Sequence, residues 1–178
     1  HPFTVSIRFK GGDAGRLFTV ENSAGSVIGQ VDITADGTVR YTSYQGNQVE
    51  GNVSVDDGAW HTVTVSHYYA QKRVILYVDD SKAGELAERL TPGKMTVGDA
   101  SGSASRTLGE LFFWRSAFNP DEVEALVSGR MLKSSLEIYS PLKELEAGEI
   151  ANLAQSSNAA VFVKNTSSGI VGVEGNGY

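Results

Sequence analysis

The sequence predicts an all-β fold: a two-sheet antiparallel β-sandwich, or jelly roll, with one short helix near residues 120–128. Three observations predict it. Short runs rich in β-branched and aromatic residues, about a dozen of them, follow one another from Phe3 onward. Turns containing Gly, Asp and Asn separate them, in keeping with the chain's 20 glycines. Helix start and period signals occur together only after Asn119.

Each element has its own signal. Phe3 to Lys10 alternates without a break, with Phe3, Val5, Ile7 and Phe9 facing one way and Thr4, Ser6, Arg8 and Lys10 the other. After the Gly11–Gly15 turn, Arg16 to Glu21 makes a second strand that buries Leu17 and Phe18. Ser26–Thr34 and Thr38–Tyr44 flank the tight turn Ala35-Asp36-Gly37. Gln48 to Val55 follows the turn at Gln45-Gly46-Asn47. Trp60 to Tyr69 and Arg73 to Asp79 form the central hairpin. Ile75 and Tyr77 make the second face of its return strand apolar, which places it inside a sheet. Asp80 to Gly84 reads as a loop or hairpin turn, Met95 to Gly98 as a short strand and Asp99 to Ser105 as a surface loop. Thr107 to Arg115 is strongly β.

The helix starts at the N-cap Asn119, with Pro120 at its first position and Glu122 placed for a capping box. Val123, Leu126 and Val127 give its apolar stripe, and Gly129 its stop. Leu136 to Leu142 alternates as a strand. Lys143 to Asn158 is looped or weakly helical around Glu144–Ala151, and Ala160–Lys164 is a short strand. The tail 165–178 reads as partly flexible, with Ile170–Val173 able to add an edge strand.

With 178 residues, the chain suits a single domain spanning 1–178. Hydrophobic residues at 40% and charged residues at 20% exclude a disordered chain. The net charge of -6 argues against nucleic acid and anionic membrane surfaces as partners. The absence of Cys excludes disulfides and thiolate metal sites. No apolar run is long enough for membrane insertion as a helix. The chain opens on His1-Pro2-Phe3 without Met or a visible signal peptide. It reads as a piece of a larger or processed protein that is secreted, periplasmic or cell-surface, so neighbouring domains of the same polypeptide are expected partners.

Asp57-Gly58-Ala59-Trp60-His61-Thr62-Val63-Thr64-Val65, then Val74-Ile75-Leu76-Tyr77-Val78-Asp79, resembles a signature of laminin-G-like domains in the concanavalin A-like lectin/glucanase superfamily. Leu108 to Leu126, through Gly109, Ala117 and Glu122, resembles the closing marker of that family. Phe3 to Lys10 is similar to its opening strand, with Arg8 where the family often has Trp. The resemblance spans Phe3 to Gly129. It departs at Asp79-Asp80, where the family usually has Asp-Gly. Leu136 to Leu142 resembles the strand that usually begins such domains, so it is expected to fill a sheet edge in a permuted arrangement. The layout is also similar to C-terminal modules of secreted Bacteroidetes proteins.

The resemblance implies a non-catalytic module that binds carbohydrate; the alternative is a structural or protein-interaction module packed against a catalytic domain. The residues themselves hold no glucanase Glu-x-Asp-x-x-Glu strand: Glu110 has no acidic partner at the required spacing and reads as a solvent-facing carboxylate. His61 and His67 share a strand face but stand too far apart to pair on a metal, and His1 is terminal. Ser101-Gly102-Ser103 lacks a nucleophile-elbow context. No cofactor follows from the residues. Calcium enters through the resemblance alone, with the loop acids Asp57, Asp79 and Asp99, and beside them Asp56 and Asp80, as its ligands. For a glycan, Tyr41, Tyr44, Tyr68 and Tyr69 cluster in sequence near strand ends with Arg40, and offer stacking faces and a polar head. Trp60 and Trp114 are expected in the core.

Overall fold

The structure, a computed structural model, describes residues 1–98, 106–142 and 152–154, and the backbone of two further strands at 162–165 and 171–174. The strands are β1 (Phe3–Lys10), β2 (Gly15–Glu21), β3 (Val27–Ile33), β4 (Val39–Ser43), β5 (Gln48–Glu50), β6 (Trp60–Tyr68), β7 (Arg73–Val78), β8 (Ser81–Leu86), β9 (Lys94–Val97), β10 (Thr107–Trp114), β11 (Leu136–Ser140), β12 (Phe162–Asn165) and β13 (Val171–Glu174). The helix α1 (Pro120–Val127) lies between β10 and β11. One antiparallel sheet runs β11-β10-β1-β6-β7-β8 and the other β12-β13-β9-β2-β3-β4-β5.

The period-two pattern sets what each face does. The inward residues of the first sheet, among them Val5, Ile7, Phe9, Val63, Val65 and Leu111, pack on Leu17, Val31, Val39 and Val97 of the second. On its outer face the first sheet carries a second apolar cluster of Ile75, Tyr77, Phe112, Trp114, Phe118, Val123 and Leu126. Helix α1 covers this cluster. Asn119 caps the helix as expected, its side chain accepting from the Glu122 amide while the Glu122 carboxylate accepts from the Asn119 amide. The turn that delivers the helix is pinned by buried hydroxyls. Thr4 Oγ1 accepts from the Phe118 amide at 3.0 Å, and Ser66 Oγ and Tyr68 Oη donate to the Phe118 carbonyl at 2.9 and 2.7 Å.

Several expectations are met and several corrected. Leu136–Ser140 pairs antiparallel with β10 at the edge of the first sheet, as the permuted arrangement requires. Leu17 and Phe18 are both buried although adjacent, because the β2–β3 register shifts between Arg16 and Phe18 and lets both turn inward. The loop or hairpin turn read over Asp80 to Gly84 is a turn only at Asp79-Asp80, and strand β8 begins at Ser81. Its Lys82, Gly84 and Glu85 obscure the pattern, as suits an edge strand kept polar. The strand expected over Gln48–Val55 is only Gln48–Glu50. β13 is paired on both sides, with β9 and β12, and is therefore not an edge. The expectations at 99–105, the weak helix at 144–151 and the remainder of the tail fall outside the described residues.

Candidate functional site

Where helix α1 ends, the outer face of the first sheet changes character. A groove of about 320 Å³ opens there, lined by Ser6, Arg8, Trp60, Thr62, Asp79, Glu110 and Phe112, with Leu126 to Gly129 of the helix end along one wall. The strands place these side chains by parity. Arg8 follows Ser6 on the outward face of β1, and Trp60 shares the face of Thr62 and Thr64 on β6. Trp60 is 41% exposed, which corrects its expected place in the core, whereas Trp114 is fully buried as expected. Parity is the reason: Val63 and Val65 point inward, so Trp60 must point out.

The Trp60 ring is held from two sides. The Arg8 guanidinium lies 4.9 Å from its centroid. Gly109 runs close enough that a Cβ there would stand 3.0 Å from the ring. Neither Arg8 nor Glu110 forms an ion pair among the described residues, so a guanidinium resting on the indole and a carboxylate face the same small space. Nothing in the sequence pairs residues 8, 60 and 110; the registers β10-β1-β6 do.

Behind the groove lies a fixed polar chain. The Gly58 turn has positive φ, and Asp57 caps it by accepting from the Ala59 amide at 2.8 Å. The His61 ring bridges the two aspartates, with Nε2 2.9 Å from an Asp57 oxygen and Nδ1 2.9 Å from an Asp79 oxygen. The other Asp79 oxygen accepts from the Thr62 amide at 2.9 Å. These bonds hold Asp79 in a left-handed backbone conformation with φ of 53°. Burial opposes protonation of His61, but the hydrogen bonds and charges of the two aspartates outweigh it and raise the ring above its ordinary pKa. The His61 hydrogen bond, with the Ala59 amide, holds Asp57 below the usual carboxylate range.

This arrangement does not fit the calcium reading. Asp57 and Asp79 are brought together, but the His61 ring sits between them and takes up an oxygen of each, and no group of three metal-ligating side chains forms among the described residues. Asp99, the third candidate, lies outside the described residues. Nor do the lining residues form a hydrolytic trio. Two carboxylates face the groove, and Asp79 already spends both oxygens on His61 and Thr62.

The tyrosine cluster does not come together. Tyr41 is 2% exposed and faces the core between the sheets. Its hydroxyl donates to Glu88 at 2.7 Å, so its ring has no face for a sugar. Burial, the Glu88 charge and that hydrogen bond push the Tyr41 hydroxyl up. Tyr68 lies against the helix-covered cluster on the other sheet. Tyr69 carries the Arg89 guanidinium 4.8 Å from its centroid. Tyr44 is exposed in its turn, and Arg40 is paired with Glu50. The sequence adjacency of 40, 41 and 44 is real, but sheet parity and the separation of the sheets disperse the faces.

Comparison with known proteins bears on the fold. The family model described as Laminin G domain matches residues 11–113, more than half of the chain. No curated protein matches. Among solved structures, a SAP-like pentraxin from Limulus polyphemus superposes with a TM-score of 0.60 at 16% identity, over 98% of this chain and 83% of that one. A Bacteroides ovatus protein provisionally described as carbohydrate binding gives 0.62 at 12% identity, over 97% of this chain and 51% of that one. The CBM40 of the Ruminococcus gnavus IT-sialidase, bound to α2,3-sialyllactose, gives 0.52 at 15% identity, over 71% of this chain and 82% of that one. At such identities these structures speak for the fold alone.

Proposed function

This chain belongs to the laminin G domain family, and from that premise we propose that it is a non-catalytic binding module whose ligand is carbohydrate, held in the Trp60 groove. One observation carries the reading. An indole, 41% exposed, carries a guanidinium at its side and stands near a carboxylate in a concave site, and neither charge is in an ion pair among the described residues. That combination suits a sugar ring, which offers an apolar face to an aromatic and hydroxyls to charged donors and acceptors. The structural neighbours described as binding glycans lend the fold-level support. The polar chain through His61 fixes the groove wall.

The test is a glycan array with and without calcium, run on the full chain and on Trp60→Ala. We expect binding to some glycans, unchanged by chelation, that is lost in the variant. Silence across a broad array would refute carbohydrate as the ligand.

A second reading is favoured by a different surface. Met131, Lys133, Leu136, Tyr139 and Leu153 line a concavity of about 350 Å³ beside β11, and Met131 and Leu153 are exposed. Such a patch suits packing against a neighbouring domain. Protection of Met131 from oxidation in the longer polypeptide, but not in this chain, would favour that role.

A further inference from the structure

Resting on that reading of the groove, we infer that the module takes one uncharged terminal sugar residue end-on, and neither the interior of a polysaccharide nor an acidic sugar. Size carries the first half. The groove, at about 320 Å³, lies at the bottom of the range of about 300–1,000 Å³ usual for small-molecule sites. Trp60 is its one exposed ring. Phe112, the other aromatic lining residue, is 5% exposed and stacked between Trp114 and Tyr139. The interior of a glycan chain needs successive platforms in line, because each ring presents its own apolar face. Here the sheet surface beyond Phe112 passes under helix α1, and no second exposed ring follows among the described residues.

Charge carries the second half. Among the described lining residues Arg8 is the one cation, against Asp79 and Glu110. His61 stands behind Asp79 and is shared with Asp57, so even a protonated ring adds no surplus positive charge and Glu110 is left to balance Arg8. The groove therefore has no net positive charge with which to hold an anion. A neutral polyol uses both groups, N–H donors at the edge of the Arg8 guanidinium and an acceptor at Glu110. A carboxylated ring would set its own charge against Glu110.

The experiment is calorimetric titration of the full chain with methyl glycosides of neutral hexoses and N-acetylhexosamines. Longer oligosaccharides with the same non-reducing end, and the same sugars oxidised to the uronic acid or capped with sialic acid, complete the panel. We expect the best methyl glycoside to bind within about threefold of its longer oligosaccharides, and the acidic forms to bind about tenfold or more weakly. Glu110→Gln should shrink that penalty against acidic sugars. Affinity that climbs steadily with chain length, or acidic sugars that bind as tightly as neutral ones, would overturn this inference while leaving the groove a glycan site. If no sugar binds, or if Trp60→Ala leaves binding unchanged, the groove reading itself falls and this inference with it.

Discussion

Trp60 and Trp114 stand on the same outer face of the same sheet, at opposite ends of it, and meet opposite fates. Trp114 is fully buried, stacked 5.0 Å from Phe112 and tilted against Phe118 at 4.4 Å, and its indole donates to the Leu132 carbonyl. Trp60 is 41% exposed and touches Arg8 and the Gly109 backbone. The same strands run beneath both residues. What differs is coverage: the helix and its lead-in turn close over one end and stop short of the other. A bulky aromatic on a sheet is therefore scaffold or binding surface according to what lies above it.

The largest effect that would break this contrast is on stability. Trp114→Ala should cost about 3–5 kcal/mol, since it empties a packed aromatic cluster and leaves the Leu132 carbonyl without its donor. Trp60→Ala should stay within about 1 kcal/mol of the parent. Chemical denaturation measures both, and equal losses would mean that Trp60 is scaffold after all.

The two inward histidines of β6 sharpen the contrast through pH. His67 is fully buried, and its Nε2 accepts from the Leu90 amide at 3.0 Å. Burial, helped by the N-terminal charge and Arg89, pushes it down to about 4. The unfolded chain therefore takes up a proton that the fold refuses. Stability should fall by up to about 3 kcal/mol as pH drops from about 6.5 toward 4. His61 has the opposite sign. Its folded value is raised, so its contribution is complete below its ordinary pKa and is lost as pH rises through the folded one. Denaturation midpoints across pH should show both limbs, with His67→Asn flattening the acid one and His61→Asn the alkaline one.

A smaller effect is expected at Gly109. A Cβ there would meet the Trp60 ring at 3.0 Å and the Arg8 carbonyl at 3.2 Å. Gly109→Ala should cost about 1–2 kcal/mol and shift the Trp60 fluorescence, because the ring must move. An unchanged emission spectrum would show that the ring is not seated on Gly109.

Much of this architecture is legible in the residues. The alternation of Phe3 to Lys10, the capping box from Asn119 to Glu122 and the central hairpin all encode themselves locally. Strand β8 is not legible, because an edge strand must be polar and so resembles a loop. The site divides in the same way. The outward direction of Trp60 is recoverable from its parity with Thr62 and Thr64, although aromatic bulk alone suggests the core. The meeting of Arg8, Trp60 and Glu110 depends on the register of three strands from distant parts of the chain, and on where a helix ends. No local pattern records either. The tyrosine expectation fails for the same reason: Tyr41 and Tyr68 are neighbours in composition but belong to different sheets.

The edge formed by β11 has a consequence for solubility. Its outer backbone is not left open. Asn152 receives the Tyr139 amide on its side-chain oxygen and gives its own amide hydrogen to the Glu137 carbonyl, and the Leu153 amide donates to the Tyr139 carbonyl. One asparagine thus imitates a passing strand and removes the template on which a second molecule could add. A shortened form that retains β11 but lacks residues 152–154 would expose that row of groups, and its fault would be self-association into extended sheets rather than loss of fold.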